Sequence, residues 1–350
     1  MTPNVTTLHL IIPDFFAYAV RSDSSLRLDT LATWLPKSLI TPLPYSATAN
    51  QLFWQLFNFP IETHLPVAPI TYLHDYGTVQ KDTTYLRADP VYLQADRDKL
   101  ILFDVFSTHP PSTTETDALL NSLNTFYQPD GLQFYAATPN RWYIRLTQTP
   151  ALNTTPLLDV IGRDIQAFMP TGTDKRQWCA ILNEIQMLLH QHLVNQSRTE
   201  QRQPLINSLW FWGLGKLPPP PAPRWQYVWS NDPFVRGLAT LSTVSQADVP
   251  NSIQSCIQQM TQQTGEYLLN LTPTQETDGS TRLTQIDKEW LLPLYQAVKQ
   301  GKIQQIHLYF CDERVFSLNR QQIKHWWKWR KPWQTYAQTH FAQLPVSRLD

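Results

Sequence analysis

Asp14 and Ser46 head the residues of this chain whose types could do chemistry. Asp14 directly follows an apolar run from Thr7 to Pro13, and Ser46 stands in Pro44-Tyr45-Ser46-Ala47, just before a helical stretch. Together they offer one carboxylate and one hydroxyl to a single site, although a serine before a helix is commonly only its N-cap. A denser polar group runs from Glu184 to Lys216. His190 and His192 in it are two apart, so their imidazoles diverge on a helix and share a face on a strand. The apolar stripe around them is helical, which makes a two-histidine metal site a poor reading. Asn195, Arg198 and Asn207, beside the glycine turn Gly213-Leu214-Gly215, are the better binding candidates. Near the end, Lys324 to Trp333 sets four tryptophans among five possible cations, four Lys or Arg and one His. Such mixtures suit single-stranded nucleic acid and membrane interfaces. The plainer alternative is a terminal segment that lays its tryptophans on the body while its cations reach outward.

These groups need a scaffold, and the apolar pattern outlines one. Thr7 to Pro13 reads as a buried strand ended by Pro13-Asp14. Leu26 to Leu35 and Ala47 to Phe57 carry apolar residues at helical spacing. Lys99 to Val105 is a strand candidate and Glu115 to Phe126 an amphipathic helix. Leu132 to Ala136 and Trp142 to Leu146 form an antiparallel hairpin about Thr138-Pro139-Asn140. The longest helical signal is Arg176 to Val194, followed by a strand from Ile206 to Trp212 that the glycine turn stops. Pro218 to Pro221 with Pro223 is a stiff spacer. The last third alternates helix (Val249 to Gln263), strand (Tyr267 to Leu271), helix (Leu283 to Gln300) and strands (Gln305 to Phe310, Arg314 to Leu318). Such alternation implies a mostly parallel sheet covered on both faces. In sheets of that kind ligands collect beyond the C-terminal strand ends, where Asp14 stands.

Composition removes several function classes. The 350 residues hold 28 Lys+Arg and 28 Asp+Glu, a formal balance of zero, so the chain lacks the basic surplus of a nucleic-acid-backbone binder. Ten glycines, with neither GxGxxG nor GxxxxGK[ST], argue against dinucleotide and P-loop folds. Cys179, Cys256 and Cys311 are far apart and fit buried thiols in a reducing compartment. No signal-like leader and no apolar run of about 18 residues is found, so a cytoplasmic protein is expected.

The polar group after α-helical His190 carries a resemblance. His192-Leu193-Val194-Asn195, Arg198 and Asn207 to Gly215 are similar to the H-P-V-N-x-x-R and A-N-x-x-W-x-W-G-x-G segment of archaeal-type cofactor-independent phosphoglycerate mutases. In the same order, Leu8 to Asp14 resembles that family's first strand and aspartate, and Leu28 to Ala32 its following helix. Ser46 falls at its hydroxyl position, Leu86 to Val91 at the start of its inserted domain, and Arg236-Gly237-Leu238-Ala239 at its k-G-L-a turn. Arg87 to Val91, Arg141-Trp142-Tyr143, Asn183-Glu184 and Asn207 to Gly213 further resemble a bacterial group of RpfE-like, phosphoglycerate-mutase-like regulatory proteins.

The resemblance implies an alkaline-phosphatase-like α/β core over 1–85 and 175–350, with a small α+β domain inserted over 86–174. In those mutases two divalent metals, often manganese, activate a serine that moves a phosphoryl group between the 3- and 2-positions of glycerate. Clustered dications need several carboxylates and histidines. Here the family's D-x-x-x-H and D-H patterns are missing. Arg236, Ser252, Arg282, Leu291 and Phe316 stand four residues after Asp232, Asp248, Asp278, Asp287 and Asp312, and Thr272-Pro273-Thr274 replaces an expected aspartate. Asp14 and Ser46 alone cannot hold two metals. The expectation is therefore a catalytically degenerate, regulatory or small-anion-binding protein without a cofactor. Its pocket would use Asp14, Ser46, Asn195, Arg198 and Asn207, with Arg87 clamping the anion by two hydrogen bonds. The alternatives are an active mutase or phosphatase with manganese or zinc at Asp14, Ser46 as nucleophile and further ligands such as His307, Asp312 and His325, or a membrane or nucleic-acid binder acting through Lys324 to Trp333.

Overall fold

The computed structural model describes residues 5–22, 26–43, 48–103, 105–106, 109–272, 279–325 and 328–341. Its elements begin with β1 (Thr7–Ile11), α1 (Phe15–Ser22), α2 (Asp29–Trp34), β2 (Leu39–Pro42) and α3 (Ala49–Leu56). Next come α4 (Val67–Tyr76), β3 (Thr84–Asp96), β4 (Lys99–Phe103), α5 (Thr113–Tyr127), β5 (Gln133–Thr138) and β6 (Arg141–Leu146). They continue with α6 (Lys175–His190), α7 (Leu193–Glu200), β7 (Ser208–Lys216), β8 (Trp225–Trp229), α8 (Pro233–Leu241) and β9 (Gln246–Ala247). The last are α9 (Ile253–Gln262), β10 (Glu266–Asn270), α10 (Gly279–Gln285), α11 (Leu292–Gln300), β11 (Gln305–Tyr309), β12 (Arg314–Asn319), α12 (Arg320–Ile323) and α13 (Gln334–Phe341). Among the described residues, no helix is long and apolar enough to cross a membrane.

The chain divides into two compact units, Met1–Ile61 with Pro221–Asp350, and Glu62–Pro220. In the first, seven strands form an α/β sheet in the order β2-β12-β11-β1-β10-β8-β9. Strands β11, β1, β10, β8 and β9 run parallel, and β12 and β2 close one side antiparallel. Leu10 pairs in register with Leu308 on one side and Leu269 on the other. That register puts Leu8, Leu10, Leu269, Ile306 and Leu308 in one core with Phe15 and Phe16 of α1, Leu31 and Trp34 of α2, and apolar residues of α9 and α11. The strands are nearly continuous apolar runs because a parallel sheet is buried from both sides.

Helix α2 starts without a side-chain cap of its own. Buried Asp287 replaces it, accepting the Thr30 and Leu31 N–H groups at 3.0 and 2.8 Å. Asp287 lies in a π-helical turn, Ile286–Leu291, which interrupts the helix expected over Leu283 to Gln300 just before Pro293. Proline has no N–H to continue the ladder, and the wider turn absorbs the mismatch.

The second unit holds an antiparallel sheet ordered β4-β3-β6-β5, with β7 paired to β3. It extends beyond 86–174 on both sides. Strand β7, expected in the core, pairs along β3 from Thr84↔Lys216 to Val91↔Ser208. Helix α6 gives Trp178, Leu182, Ile185 and Leu189 to the same core as Leu86, Trp142, Ile144 and Phe211. Gly213 and Gly215 do not stop this strand. Gly213 sits at φ +67°, and Cβ atoms at the two glycines would lie 2.9 Å from Val67 Cβ and 2.5 Å from Pro66 Cβ. The glycines let the start of α4 close against β7. The helix expected from Arg176 to Val194 breaks after His190, because His192 caps α7 by accepting the Val194 N–H at Nδ1, 3.2 Å away.

Candidate functional site

The C-terminal edge of the parallel sheet gathers the polar residues that the strands deliver together. Beyond β1, Asp14 turns into α1 with a left-handed backbone (φ 55°) and is exposed. Beyond β11, Cys311 and Glu313 are also left-handed, forming the tight connection to β12. Between them, buried Asp312 pairs with Arg314 Nε at 3.0 Å and with its Nη2, while Asp312 Oδ1 has no partner. Burial pushes the Cys311 thiol up, and the Asp14 and Asp312 charges add to the shift, which makes these three neighbours.

On the other side of β1, Asn270 ends β10 and is 1% exposed. Its Nδ2 donates to Ser230 Oγ and Thr272 Oγ1, each at 3.1 Å, and its Oδ1 is buried without a partner. Ser230 follows β8 and is fully buried. Arg236 Nη1 reaches the Ser230 carbonyl at 3.4 Å and pairs with the exposed Asp248, whereas Arg236 Nε is buried without a partner. Asp232 accepts the Phe234 and Val235 N–H groups at the start of α8, at 2.7 and 3.3 Å. An unpaired donor and an unpaired acceptor thus hang on Ser230. A buried polar atom without a partner costs stability, so each of these two has an unused hydrogen bond to give or accept.

Among the described residues, the donor set at this edge does not fit two dications. At this edge Asp232 caps a helix, Asp312 is held by Arg314, and Asn270 and Thr272 are neutral. Among the described residues no three or more His, Cys, Asp or Glu side chains form a group able to hold a metal. His307, Asp312 and His325 are not brought into one such group; His307 lies within β11, its Nδ1 2.8 Å from Ser317 Oγ. Ser46 lies outside the described residues.

Four other candidates belong to the second unit, where each is engaged in framework. Buried Arg87 donates to buried Asp89 three times, at 2.7–3.1 Å, and stacks over Tyr143 and Trp212. Asp89 also accepts the Trp142 N–H and Trp212 Nε1–H. Asn195 donates to the Leu189 and Ile206 carbonyls, both at 2.8 Å, and accepts the Ile206 N–H, tying the end of α6 to the approach of β7. Arg198 donates to Glu115 and to the Pro204 carbonyl, and Glu115 completes the capping box of α5 with Ser112. Asn207 bonds both the N–H and the carbonyl of Leu93, at 2.8 and 2.7 Å, as an extra rung of the ladder. The four sit in separate hydrogen-bond sets. Asp14, the fifth candidate, belongs to the other unit.

A second titratable cluster, of which the sequence pointed only to His307, lies on the sheet face opposite the leucines. His9 Nδ1 is 2.9 Å from Tyr309 Oη, and His9 Nε2 is 3.2 Å from Glu266 Oε2. The partners define the tautomer: Nε2–H donates to the carboxylate and the phenol donates to Nδ1. Arg224 Nε donates to Glu266 at 2.8 Å, and the His9 and His307 rings are 4.7 Å apart. Burial lowers both imidazoles, His307 to about 4, and the hydrogen bond from His9 leads in holding Glu266 down to about 2. The available signal was alternation: His9, His307 and Tyr309 occupy every second place in strands otherwise apolar.

No family model matches the chain. Among curated proteins it is similar to a probable 2,3-bisphosphoglycerate-independent phosphoglycerate mutase of Geobacter sulfurreducens, 27% identical over 133 residues, 38% of this chain and 33% of that protein. The corresponding mutase of Methanosarcina barkeri is 27% identical over 109 residues, 31% of this chain and 27% of that protein. The chain spans about a third of the length of the curated relatives it matches. Among solved structures, a cofactor-independent phosphoglycerate mutase from Thermoplasma acidophilum aligns over 90% of each chain at 14% identity and a TM-score of 0.46. The PH0037 protein from Pyrococcus horikoshii aligns over 90% of this chain and 87% of its own at 12% identity and a TM-score of 0.48.

Proposed function

We propose that this chain is a phosphoglycerate-mutase-like protein with an alkaline-phosphatase-like core, which binds a small hydroxylated anion in place of catalysing metal-dependent phosphoryl transfer. It acts as a regulatory protein, the role its RpfE-like sequence blocks suggest. The observation that carries this reading is the polar set about Ser230. Arg236 presents an unpaired Nε–H to a carboxylate or phosphate, and Asn270 Oδ1 accepts a hydroxyl from the same small molecule. A guanidinium partly shielded from water binds such anions strongly and directionally. Phosphoryl transfer by two metals asks for a carboxylate-rich edge, and the described residues offer a neutral amide, hydroxyls and carboxylates already engaged. The anion site is thus moved from Arg87, Asn195, Arg198 and Asn207 to the strand ends of the first unit.

The test uses purified protein. Elemental analysis is expected to find no stoichiometric manganese or zinc, and conversion of 3- to 2-phosphoglycerate to stay at background. Calorimetric titration with 3-phosphoglycerate is expected to show binding that Arg236→Gln weakens about tenfold, the worth of one charge-assisted hydrogen bond. Two bound metals together with turnover would establish the active-mutase alternative, with Ser46 as nucleophile, and overturn the proposal. Absence of binding by both inorganic phosphate and 3-phosphoglycerate would remove the anion reading.

A further inference from the structure

The segment Lys324 to Trp333 has no part in that proposal, and its described residues show a division of labour. Trp333 is buried, and its Nε1–H donates to the Leu26 carbonyl at 2.9 Å. The Lys331 N–H donates to the Ala32 carbonyl at 3.2 Å. Arg330 donates to Thr33 Oγ1 at 2.9 Å and to the Asp29 carbonyl at 3.0 Å, with the Asp29 carboxylate 3.4 Å away. The stretch is therefore tied to α2 at several points. Trp329, directly before the tied stretch, is 77% exposed, and among the described residues no other tryptophan is exposed. An indole held in water beside a fastened backbone is presented rather than frayed. Lys331 and Lys324 are exposed and Lys328 half-buried, so the ring stands among cations. Asp29 answers the charge of Arg330 and leaves the lysines.

We infer that this surface docks on the headgroup layer of an anionic lipid bilayer. Tryptophan is favoured at that depth because its ring is apolar and its N–H is polar. Lysines next to it gain from the negative surface potential and can keep their ammonium groups among the headgroups while their stems lie along apolar material. The sign of the charge selects an anionic partner. Among the described residues one indole is exposed, and it stands beside lysines rather than in the row of rings along a groove that binds a nucleic-acid strand, which favours a lipid interface. Attachment through an exposed ring and a few cations is reversible, as weak anchors on membranes are. The inference is independent of the anion site at the strand ends.

Co-sedimentation of the full chain with vesicles tests it, comparing phosphatidylcholine alone with phosphatidylcholine mixed with phosphatidylglycerol. The protein is expected to pellet with the mixed vesicles only, and to be released at about 1 M salt, where the screening length is about 3 Å. Trp329→Ser should lower the apparent affinity about tenfold, and Lys328→Glu with Lys331→Glu should abolish pelleting. Circular dichroism melts of these surface variants should match the parent and show that folding is intact. Failure of the parent to pellet with mixed vesicles overturns the inference, as does equal pelleting with phosphatidylcholine alone or unchanged binding by the variants. Binding to single-stranded DNA that the same variants abolish, without vesicle binding, overturns it in favour of the nucleic-acid reading.

Discussion

Asp89 shows how a residue can look like part of a ligand site and serve the framework. It receives Arg87, the Trp142 backbone and the Trp212 indole within a nearly dry pocket. Asp89→Ala leaves a buried guanidinium and two N–H groups without an acceptor, and chemical denaturation should show a loss of about 3–5 kcal/mol. Arg87→Ala is correspondingly expected to change stability and leave 3-phosphoglycerate binding unchanged, whereas Arg236→Gln does the reverse. His9 and His307 give a second residue-scale prediction. Their folded-state pKa values lie below the ordinary 6.5, so between pH 6.5 and about 4 the unfolded chain binds more protons than the native one. The stability held by the two neutral imidazoles is complete above 6.5 and is lost as pH falls through that window. The charge nearest to them in opposition is Glu266, and Arg224 on the same carboxylate adds to the depression. Urea midpoints measured across that range should rise with pH in the parent, and His307→Gln should flatten the slope.

At the scale of elements, two short helices depend on residues far away in sequence. Helix α2 has six residues, too few to persist alone in water. Its N-terminal N–H groups rest on Asp287, more than 250 positions later. Asp287→Ala should cost about 1–3 kcal/mol in unfolding free energy, combining a lost cap with buried donors left unpaired. Since Arg330 and Lys331 are fastened to α2, the same variant should speed amide exchange at Lys331. Helix α4 depends on β7 having no side chain at Gly215, where a Cβ would come within 3.1 Å of Pro66 Cα as well as meeting its Cβ. Neither atom can rotate away, so Gly215→Ala should destabilise by about 1–3 kcal/mol through forced displacement of the α4 entry. A midpoint equal to the parent's would show that the strand yields more easily than this packing implies.

For the whole molecule, the two units differ in how the chain builds them. Glu62–Pro220 is continuous and owns a core around Leu86, Trp142, Ile144 and Phe211. A chain of roughly 150 residues buries about 70% of its surface on folding, enough for independent stability. The isolated segment is expected to give one cooperative thermal transition and dispersed amide resonances; a disordered spectrum would show that it needs the rest of the chain. The other unit is split in sequence, and β1 sits between β10 and β11, some of the latest strands made. Its sheet closes only once β10 and β11 are made, a non-local pairing that topology makes slow.

Much of this was legible in the residues themselves. The apolar runs that became β1, β10 and β11, the stripe of α6 and the hairpin of β5 and β6 could be read directly, because periodicity reports which side of an element meets the core. The resemblance to cofactor-independent phosphoglycerate mutases was likewise readable from Asn195, Arg198 and Asn207 to Gly215. What those residues do was not. Asn207 rungs against Leu93, and Arg198 holds the cap of α5, through partners more than 80 positions away. The same holds for the extension of the second unit to Glu62–Pro220, which follows from β7 pairing with β3, and for the meeting of Arg236 and Asn270 on Ser230. Spacing along the chain determines the face on which a side chain emerges. Only the assembled sheet decides which distant donor or acceptor it finds there, and hence whether a polar residue braces the fold or is left with a bond to offer.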